Sequence, residues 1–293
     1  MKFGKTDDPG SIDLSLPSDH PGTEGLLKKQ PERTEPLRLY VGCAKWNRTD
    51  LKNFYPRGTK DELAYYSSQF NCIELNATFY RIFPRVQFER WREKTPEGFR
   101  FFPKVVESIS HWGRLKDTEK VVDEMVHSFG GLEEKLGRAF LQMTDNFSPK
   151  DLDRVVRFVE HWPKHVPLAI EFRHTDWYND SSVSEDLYAL LESHGIANVI
   201  TDTAGRRDLL HMRLTTPSAF IRFTGANHPS DRTRLDDWVD RLEHWAAIGI
   251  REVDFFVHQN MELESPLLAA YFIEQMNERL SLGLKVPRTL LAS

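Results

Sequence analysis

The fold is decided by the stretch Phe70-Asn71-Cys72-Ile73-Glu74-Leu75-Asn76-Ala77-Thr78-Phe79-Tyr80. It predicts a buried β-strand over Cys72–Phe79, because its side chains alternate between two faces with the period of two that is typical of a strand. Glu74, Asn76 and Thr78 share one face, and apolar residues occupy the other. The apolar face has to be buried, so we expect the polar face to line a ligand site at the mouth of a closed barrel.

The same kind of short apolar run recurs from Leu37 onward, and a longer amphipathic segment follows each run. Strands are predicted over Arg38–Cys43, Cys72–Phe79, Phe99–Val106, Arg138–Met143, Leu168–Phe172, Ala197–Thr201, Phe220–Thr224 and Glu252–Val257. Helices are predicted over Leu63–Gln69, Val86–Lys94, Asp117–Leu136, Arg207–Leu214 and Pro266–Leu280, with further helix starts at Ser148, Ser182 and Thr233. The alternation indicates a parallel sheet covered by helices, which is the α/β class.

Eight strand–helix units in about 250 residues predict a parallel, eight-stranded (β/α)₈ TIM-type barrel over residues 37–293. A doubly wound open sheet is the alternative. That fold usually has a Gly-rich turn after its first strand, and the segment Val41–Trp46 lacks the Gly-x-Gly-x-x-Gly pattern. Residues 1–36 are rich in Pro, Gly, Ser and charged residues without a sustained period, so they predict a flexible N-terminal tail or one that drapes over the domain.

Composition excludes several classes of protein. The formal charge of -5 and the pI near 6.1 provide no general attraction to nucleic acid or to an anionic membrane. Cys43 and Cys72 cannot build a disulfide framework, which suits a reducing cytoplasm. No apolar run approaches the length that crosses a membrane. We therefore expect a cytoplasmic protein that binds a small molecule, with no membrane, cofactor or metal and with nucleic acid as an unlikely partner.

Polar side chains concentrate at the predicted strand ends, where TIM barrels build their active sites. The catalytic candidates are Glu74, Lys104 and Glu171. The candidates for substrate binding are Asn76, Thr78, Tyr80, His111, Gln142, Arg173, His174, Trp177, Asp202, Arg222 and His258. Buried charges are costly unless they are paired. The set therefore indicates either a polar ligand or an internal network of ion pairs that fills the barrel.

The leading hypothesis is an enzyme that acts on a small polar or anionic substrate by general acid–base chemistry. Arg173 and Arg222 would clamp a carboxylate or phosphate, for which planar guanidinium groups are suited. Glu74 or Glu171 would be the general base, with a pKa raised by burial or by the other carboxylate. Lys104 would be an ion-pair partner or, with a lowered pKa, a nucleophilic amine.

Two other classes of function remain open. The first is a metal-dependent hydrolase of phosphodiesters, because His111, His174 and His258 are ligand types that accompany acids at strand ends. The neighbouring Lys and Arg residues argue against it, since they would repel a divalent cation. The second is a barrel that binds a ligand without catalysis.

Several segments together carry a resemblance to a known family. They are Val41–Trp46, Phe54–Pro56, Glu62–Tyr66, Glu74–Tyr80, Trp91 with Thr95-Pro96, Phe101–Lys104, Ser110-His111, Glu171–His174 with Trp177, and Asp202. Through them the chain resembles the YecE-like barrels, known as domain-of-unknown-function family 72, over about residues 38 to 280. The resemblance implies a TIM-type barrel with an uncharacterised activity.

The chain departs from the family's pattern at two strand ends. The family favours Arg-x-His-Gly after strand seven, where this chain has Arg222-Phe223-Thr224-Gly225. After strand eight the family favours an aromatic residue and a short Asn- or Asp-rich stretch, where this chain has Phe256-Val257-His258-Gln259-Asn260. A mechanism that needs the family's polar groups at these two ends would not apply here.

Overall fold

The structure is a computed structural model that describes residues 4–289. Its strands are β1 Arg38–Cys43, β2 Cys72–Leu75, β3 Arg100–Pro103, β4 Ala139–Gln142, β5 Leu168–Glu171, β6 Ala197–Asn198, β7 Ile200–Thr203, β8 Ser218–Gly225 and β9 Glu252–Gln259. Its α-helices are α1 Pro21–Lys28, α2 Glu62–Gln69, α3 Arg85–Lys94, α4 Glu119–Phe129, α5 Leu152–His161, α6 Asp176–Asn179, α7 Ser181–Ser193, α8 Ser230–Ile248 and α9 Ser265–Leu280. The alternation confirms the α/β class.

All strand pairs are parallel, and they form three sheets with the orders β1-β9-β8-β7, β2-β3 and β4-β5-β6. The expectation of one closed eight-stranded sheet differs from this arrangement, since the backbone ladder is not continuous. The strand predicted over Ala197–Thr201 is divided at Val199 into β6 and β7, which pair with β5 and β8 respectively. This strand therefore links two of the sheets through the chain itself.

Side chains take the place of a backbone ladder between β1 and β2. The amide of Asn71 donates to a β1 carbonyl at 2.8 Å, and its oxygen accepts from a β1 N–H at 2.9 Å. The hydroxyl of Tyr66 accepts from Cys43 N at 2.7 Å and donates to Cys72 O at 3.1 Å. Gly42 permits this approach, because a Cβ there would lie 2.4 Å from Cys72 O. These bonds satisfy backbone groups that would otherwise be buried without partners.

Backbone bridges join β3 to β4 without forming a full ladder. Val105 N donates to Phe140 O, and Gly137 N donates to Phe101 O, each at 2.8 Å. Parallel bridges pair Phe101 with Leu136 and Lys104 with Phe140. The second and third sheets therefore lie side by side, as the first and second do across β1 and β2.

The inner faces of the strands carry a core of their own, which is separate from the larger core between the strands and the helices. Its buried members are Cys72, Phe102, Phe140, Ala169, Ala197, Val199, Phe220 and Phe256. Along β9 the side chains of Asp254, Phe256 and His258 alternate onto this inner face, because every second residue of a strand points the same way. The inner face is thus charged at one end, aromatic in the middle and polar again at the carboxyl end.

Three predicted elements differ in extent from those of the structure. Strand β2 ends at Leu75, and residues 76–79 form a 3₁₀ turn in which Thr78 Oγ1 donates to Leu75 O at 2.8 Å. The helix predicted over Asp117–Leu136 ends at Phe129, and a 3₁₀ segment follows in which Glu133 has a φ of 48°. In place of the helix predicted over Arg207–Leu214, residues 204–209 form 3₁₀ turns.

The described part of the N-terminal segment packs against the domain. Within α1, Leu27 is buried. Thr23 Oγ1 donates to Met212 O at 2.8 Å and accepts from Leu214 N at 2.9 Å. Further upstream, Gly205 N donates to Gly4 O at 2.9 Å. No helix within residues 4–289 is long and apolar enough to cross a membrane.

Candidate functional site

Arg222 lies between two glutamates at the carboxyl ends of the strands. Its Nε and Nη2 donate to the two oxygens of Glu74, each at 3.0 Å, and its Nη1 donates to Glu171 Oε2 at 2.8 Å. The three residues come from β8, β2 and β5, so side chains from all three sheets meet here. All three are buried. The geometry is an internal ion-pair network. Arg222 donates hydrogen bonds to two protein carboxylates, whereas the sequence predicted that it would bind the carboxylate or phosphate of a substrate.

Both glutamates are held ionised by their cationic neighbours. Burial alone would raise the pKa of Glu74, but the charges of Arg222 and His258 outweigh it and hold this pKa well below its ordinary value. Burial also acts against Arg173 and Arg222 at Glu171, where the two cations win and lower the pKa to about 2. The expected carboxylate with a raised pKa is therefore wrong. Carboxylates this acidic are weak bases at neutral pH.

Burial gives the Lys104 amine a pKa near neutrality. Its Nζ donates to Gln142 Oε1 at 2.9 Å, and Gln142 Nε2 donates in turn to Glu171 Oε2 at 2.9 Å. Within residues 4–289, no carboxylate oxygen lies within 4.0 Å of Nζ, so the expected ion pair is absent there. Burial, followed by the charge of Arg222, lowers the pKa of Lys104 from 10.5 to about 7. The amine is thus largely neutral just above pH 7.

Three further expected residues contact the glutamates. Asn76 Nδ2 donates to Glu74 Oε1 at 2.8 Å. His258 Nε2 lies 3.0 Å from Glu74 Oε2 and 3.4 Å from Arg222 Nη2. Arg173 Nε donates to Glu171 Oε1 at 2.5 Å. Arg173 also reaches further towards solvent than Arg222, with 16% of its side chain exposed against 10%.

His111 and Tyr80 lie at the periphery of the cluster. The ring of Phe79 lies 4.3 Å from Lys104 Nζ and 4.9 Å from the ring of His111, so it contacts both residues. His111 Nδ1 lies 2.8 Å from Ser110 Oγ. Burial, and then the charge of Lys104, lowers the pKa of His111. Tyr80 is 73% exposed beside Phe79 and is placed at the mouth of the site rather than within it.

Thr78 and Trp177 have structural contacts instead of the expected contacts with a ligand. The hydroxyl of Thr78 donates to the carbonyls of Leu75 and Lys104, at 2.8 and 2.7 Å, and so closes the turn after β2. Trp177 is fully buried, and its Nε1 donates to Phe147 O at 2.7 Å. The polar groups of both side chains therefore bind backbone carbonyls of the protein, and both residues pack in the loops that follow the strands.

Asp202 and His174 also lie outside the cluster. Asp202 is in register with Phe223 and therefore points away from the inner face that Arg222 occupies. There its carboxylate accepts from Arg234 Nη2 at 2.7 Å and from Trp238 Nε1 at 2.8 Å, both on α8. His174 Nδ1 accepts from the N–H of Asp176, the first residue of α6. An error of one residue in the assumed face of a strand explains Asp202.

Sequence reasoning missed two neighbours of the site. Phe79 was assigned to the apolar face of a strand, but the turn after Leu75 brings its ring against Lys104. Glu262 Oε1 lies 3.8 Å from His258 Nδ1. His258 and Glu262 are four residues apart at the end of a predicted strand, and this spacing could have indicated the contact.

The metal-ligand types expected for a hydrolase do not converge. In the described part of the chain, no group of three or more His, Cys, Asp and Glu side chains is arranged to hold a metal ion. The guanidinium of Arg222 occupies the space between Glu74 and Glu171. This geometry does not favour the alternative of metal-dependent hydrolysis.

A sequence profile described as "Protein of unknown function DUF72" matches residues 40–290. The chain belongs to the DUF72 family. This confirms the resemblance inferred from the Glu74–Tyr80 and Glu171–His174 segments. Among relatives of this DUF72 protein is the UPF0759 protein YecE of Escherichia coli strain K12, which is 27% identical over 229 residues and matches 71% of this chain and 82% of its own length. The UPF0759 protein YunF of Bacillus subtilis strain 168 is 27% identical over 173 residues, which cover 56% of this chain and 60% of YunF.

Solved structures agree with the fold of this DUF72 protein. A crystal structure of a DUF72 family protein from Enterococcus faecalis V583 superposes with a TM-score of 0.66 at 20% identity, over 84% of this chain and 99% of the other. A second crystal structure with the same description gives a TM-score of 0.64 at 21% identity, over 85% of this chain and 98% of the other. At this identity the likeness concerns the fold alone.

Proposed function

We propose that the protein is an enzyme that acts on a small polar or anionic substrate at the carboxyl end of its strands, and that these strands form a closed barrel around the site. The side-chain bonds of Asn71 and Tyr66 and the bridges at Phe140 support the barrel, because they join neighbouring sheets where ladders are missing. The meeting of β2, β5 and β8 side chains at Arg222 supports the site.

The observation that carries this proposal is the environment of Lys104. A buried amine whose pKa is lowered to about 7 exchanges protons at physiological pH, which is what acid–base chemistry requires. Glu74 and Glu171 serve as fixed charges instead. Both hold Arg222 in place, and Glu171 orients the Lys104 amine through Gln142.

Arg173 is the proposed contact for the anionic part of the substrate. It is more exposed than Arg222, and its guanidinium lies next to Glu171 at the mouth of the site. A guanidinium binds carboxylate or phosphate through paired hydrogen bonds. The buried, unpaired thiols of Cys43 and Cys72 suit the proposed cytoplasmic location.

The test begins with binding. Melting temperatures are measured at fixed ionic strength with a panel of small carboxylates and phosphate esters, for the wild type and for Arg173→Gln. We expect some of these compounds to stabilise the wild type and to lose this effect in the variant. Arg157→Gln is the matched control, because Arg157 is an exposed arginine of α5 that pairs with Asp153. Equal stabilisation of all three proteins would refute the role of Arg173.

Catalysis is tested on the compounds that bind. Each is incubated with the wild type and with Lys104→Met, and its conversion is followed by NMR. We expect the variant to bind but to lose at least about 10²-fold in conversion, which is the usual contribution of a general acid or base. Binding without conversion by the wild type would instead favour a ligand-binding protein, a reading that the fully paired Arg222 also supports.

A further inference from the structure

Two buried lysines of this chain have opposite environments. Lys135 Nζ donates to Arg92 O at 2.7 Å, to Thr95 O at 2.6 Å and to Thr95 Oγ1 at 3.2 Å, so it meets three acceptors. Lys104 Nζ meets one acceptor in the described part of the chain, the oxygen of Gln142. An ammonium group has three N–H donors and no lone pair. Burial lowers the pKa of both lysines, but Lys135 has an acceptor for each N–H of its ammonium form, whereas Lys104 has one acceptor among the described residues.

The remaining surroundings of Lys104 are aromatic. Its Nζ lies 4.3 Å from the centre of the Phe79 ring and 5.8 Å from that of Phe140. The carboxylate of Glu171 already accepts hydrogen bonds from Gln142, Arg222 and Arg173. It is therefore not the base that removes a proton from the Lys104 ammonium group. The lone pair of a neutral Lys104 is thus left without a hydrogen-bond donor among these neighbours. A lone pair in such a place is available to an electrophilic carbon.

We propose that Lys104 forms a Schiff base with a small aldehyde or ketone that also carries a carboxylate or phosphate, which Arg173 binds. This inference rests on the proposed function and names the class of substrate for that site. The Nζ lone pair attacks the carbonyl carbon, and a proton moves from nitrogen to the carbonyl oxygen to give a carbinolamine. Protonation of its hydroxyl and loss of water then leave an iminium ion, which becomes the imine when its nitrogen returns that proton, so one water molecule is released for each C=N bond formed.

The positions of the cations suit this class of ligand. Arg173 and Lys104 contact the same Glu171 from two directions, directly and through Gln142. The proposal therefore places the anionic group of the ligand at Arg173 and its carbonyl carbon at Lys104. His111, whose ring packs against that of Phe79, is an imidazole of this region that can pass the proton to the departing water.

The test is reductive trapping. The protein is incubated with glyoxylate or with glycolaldehyde phosphate in the presence of sodium cyanoborohydride, and the modified lysines are mapped by peptide mass spectrometry. Cyanoborohydride reduces the imine to a stable secondary amine. We expect Lys104 to be modified about a hundredfold faster than the exposed Lys45 at pH 7, because far more of it is neutral. Lys135 is the internal reference for burial and should remain unmodified.

Variants and probes separate the possible outcomes. Lys104→Met should abolish the fast modification, and Lys45→Met should leave it unchanged. The rate should rise with pH around a midpoint near 7, as the amine loses its proton. Propanal, which has no anionic group, should react at least tenfold more slowly; equal rates would overturn the assignment of the substrate class.

The same experiment distinguishes failure of this inference from failure of the proposed function. If carboxylates or phosphate esters bind through Arg173 while Lys104 is modified no faster than Lys45, the inference is overturned and the proposed function stands. If no anion binds and no lysine is modified preferentially, both are overturned. Preferential modification of Lys135 would show that burial alone selects the reactive amine, which also overturns the inference.

Discussion

Arg222 binds both carboxylate oxygens of Glu74 at 3.0 Å, although the two residues are 148 positions apart in the chain. The pair joins β8 to β2, which belong to different sheets. A third contact from Arg222 to Glu171 extends the join to β5. The ion pairs at the candidate site are therefore also the connection between the sheets at their carboxyl ends.

Replacing Arg222 by Met should unfold the protein at lower denaturant concentration. The change leaves Glu74 and Glu171 buried without their shared cation, which costs about 3–5 kcal/mol in the free energy of unfolding. Urea denaturation measures this difference. Arg279→Met is the matched control, since Arg279 is an exposed arginine that pairs with Asp240 and Glu243, and its loss should cost about 1 kcal/mol or less. Similar values for both variants would contradict the account.

Replacing Lys104 by Met should stabilise the protein most below pH 7. The folded-state pKa of Lys104 is about 7 and the unfolded value is 10.5, so the unfolded chain holds more protons between these pH values. Stability of the wild type therefore rises as the pH increases from 7 to 10.5. Denaturation of both proteins at pH 6, 8 and 10 measures the difference, which should shrink with pH. A difference that does not depend on pH would show that the amine has an ordinary pKa.

We expect the contribution of Asp254 to the free energy of unfolding to fall as the pH rises from 4 to 7, because the unfolded chain loses the Asp254 proton at a lower pH than the folded chain does. Burial, together with the charge of Glu252, raises its pKa to about 7 even though Arg138 binds one of its oxygens. The other oxygen, Oδ1, is buried without a hydrogen-bond partner, which suits a proton there. The folded chain thus binds a proton that the unfolded chain releases near pH 3.8, and the stability that it provides is lost through pH 7.

The measurement for Asp254 compares the wild type with Asp254→Asn in urea at pH 4.5 and pH 7.5. The variant keeps the shape of the side chain and cannot titrate, so its stability relative to the wild type should increase between the two pH values. Arg138 and Ser218 keep their hydrogen bond of 2.7 Å in both proteins. A constant difference would mean that Asp254 is ionised throughout.

Gly42→Ala should destabilise the protein by about 1–3 kcal/mol, the usual cost of inserting a group into a packed interior. A Cβ at this position would lie 2.4 Å from the Cys72 carbonyl oxygen, so β1 would have to move away from β2. Gly25→Ala is the control, because Gly25 lies inside α1 with nothing within 4 Å of an added Cβ. There alanine should stabilise the helix by about 0.5–1 kcal/mol. Thermal denaturation measures both, and equal losses would contradict the close approach.

The strand–helix order and most of the inner residues could be predicted from the sequence. Strand β1 has the predicted bounds, and Glu74, Gln142, Glu171 and Arg222 meet as their strand parity implies. The predictions that were wrong concerned positions set by contacts between segments that are distant in the sequence. The turn at Asn76–Phe79 is closed by an acceptor on Lys104, 26 residues away, and no local pattern reveals this partner. The Asp202 side chain is placed by Arg234 and Trp238 of α8.

The electrostatics were harder to predict than the positions. From the sequence, Glu74 or Glu171 was expected to have a pKa raised by burial or by the other carboxylate. Arg222 binds both of them and reverses the sign of the shift. The raised or lowered pKa of a buried group depends on which neighbour is closest, and this information exists only in three dimensions. Lys104 was expected to be an ion-pair partner or a nucleophilic amine. Only the structure shows that its Nζ has one hydrogen-bond acceptor in the described part of the chain.

A buried layer of aromatic side chains crosses the inner face of the strands. Phe102, Phe140, Phe220 and Phe256 are each at most 1% exposed, and they separate Arg222 and Lys104 above from Arg138 and Asp254 below. Under the proposed function, a substrate that enters at the carboxyl end would leave by the same end, because the four buried rings fill the interior between the two charged layers. Release of product and entry of the next substrate would then follow one path.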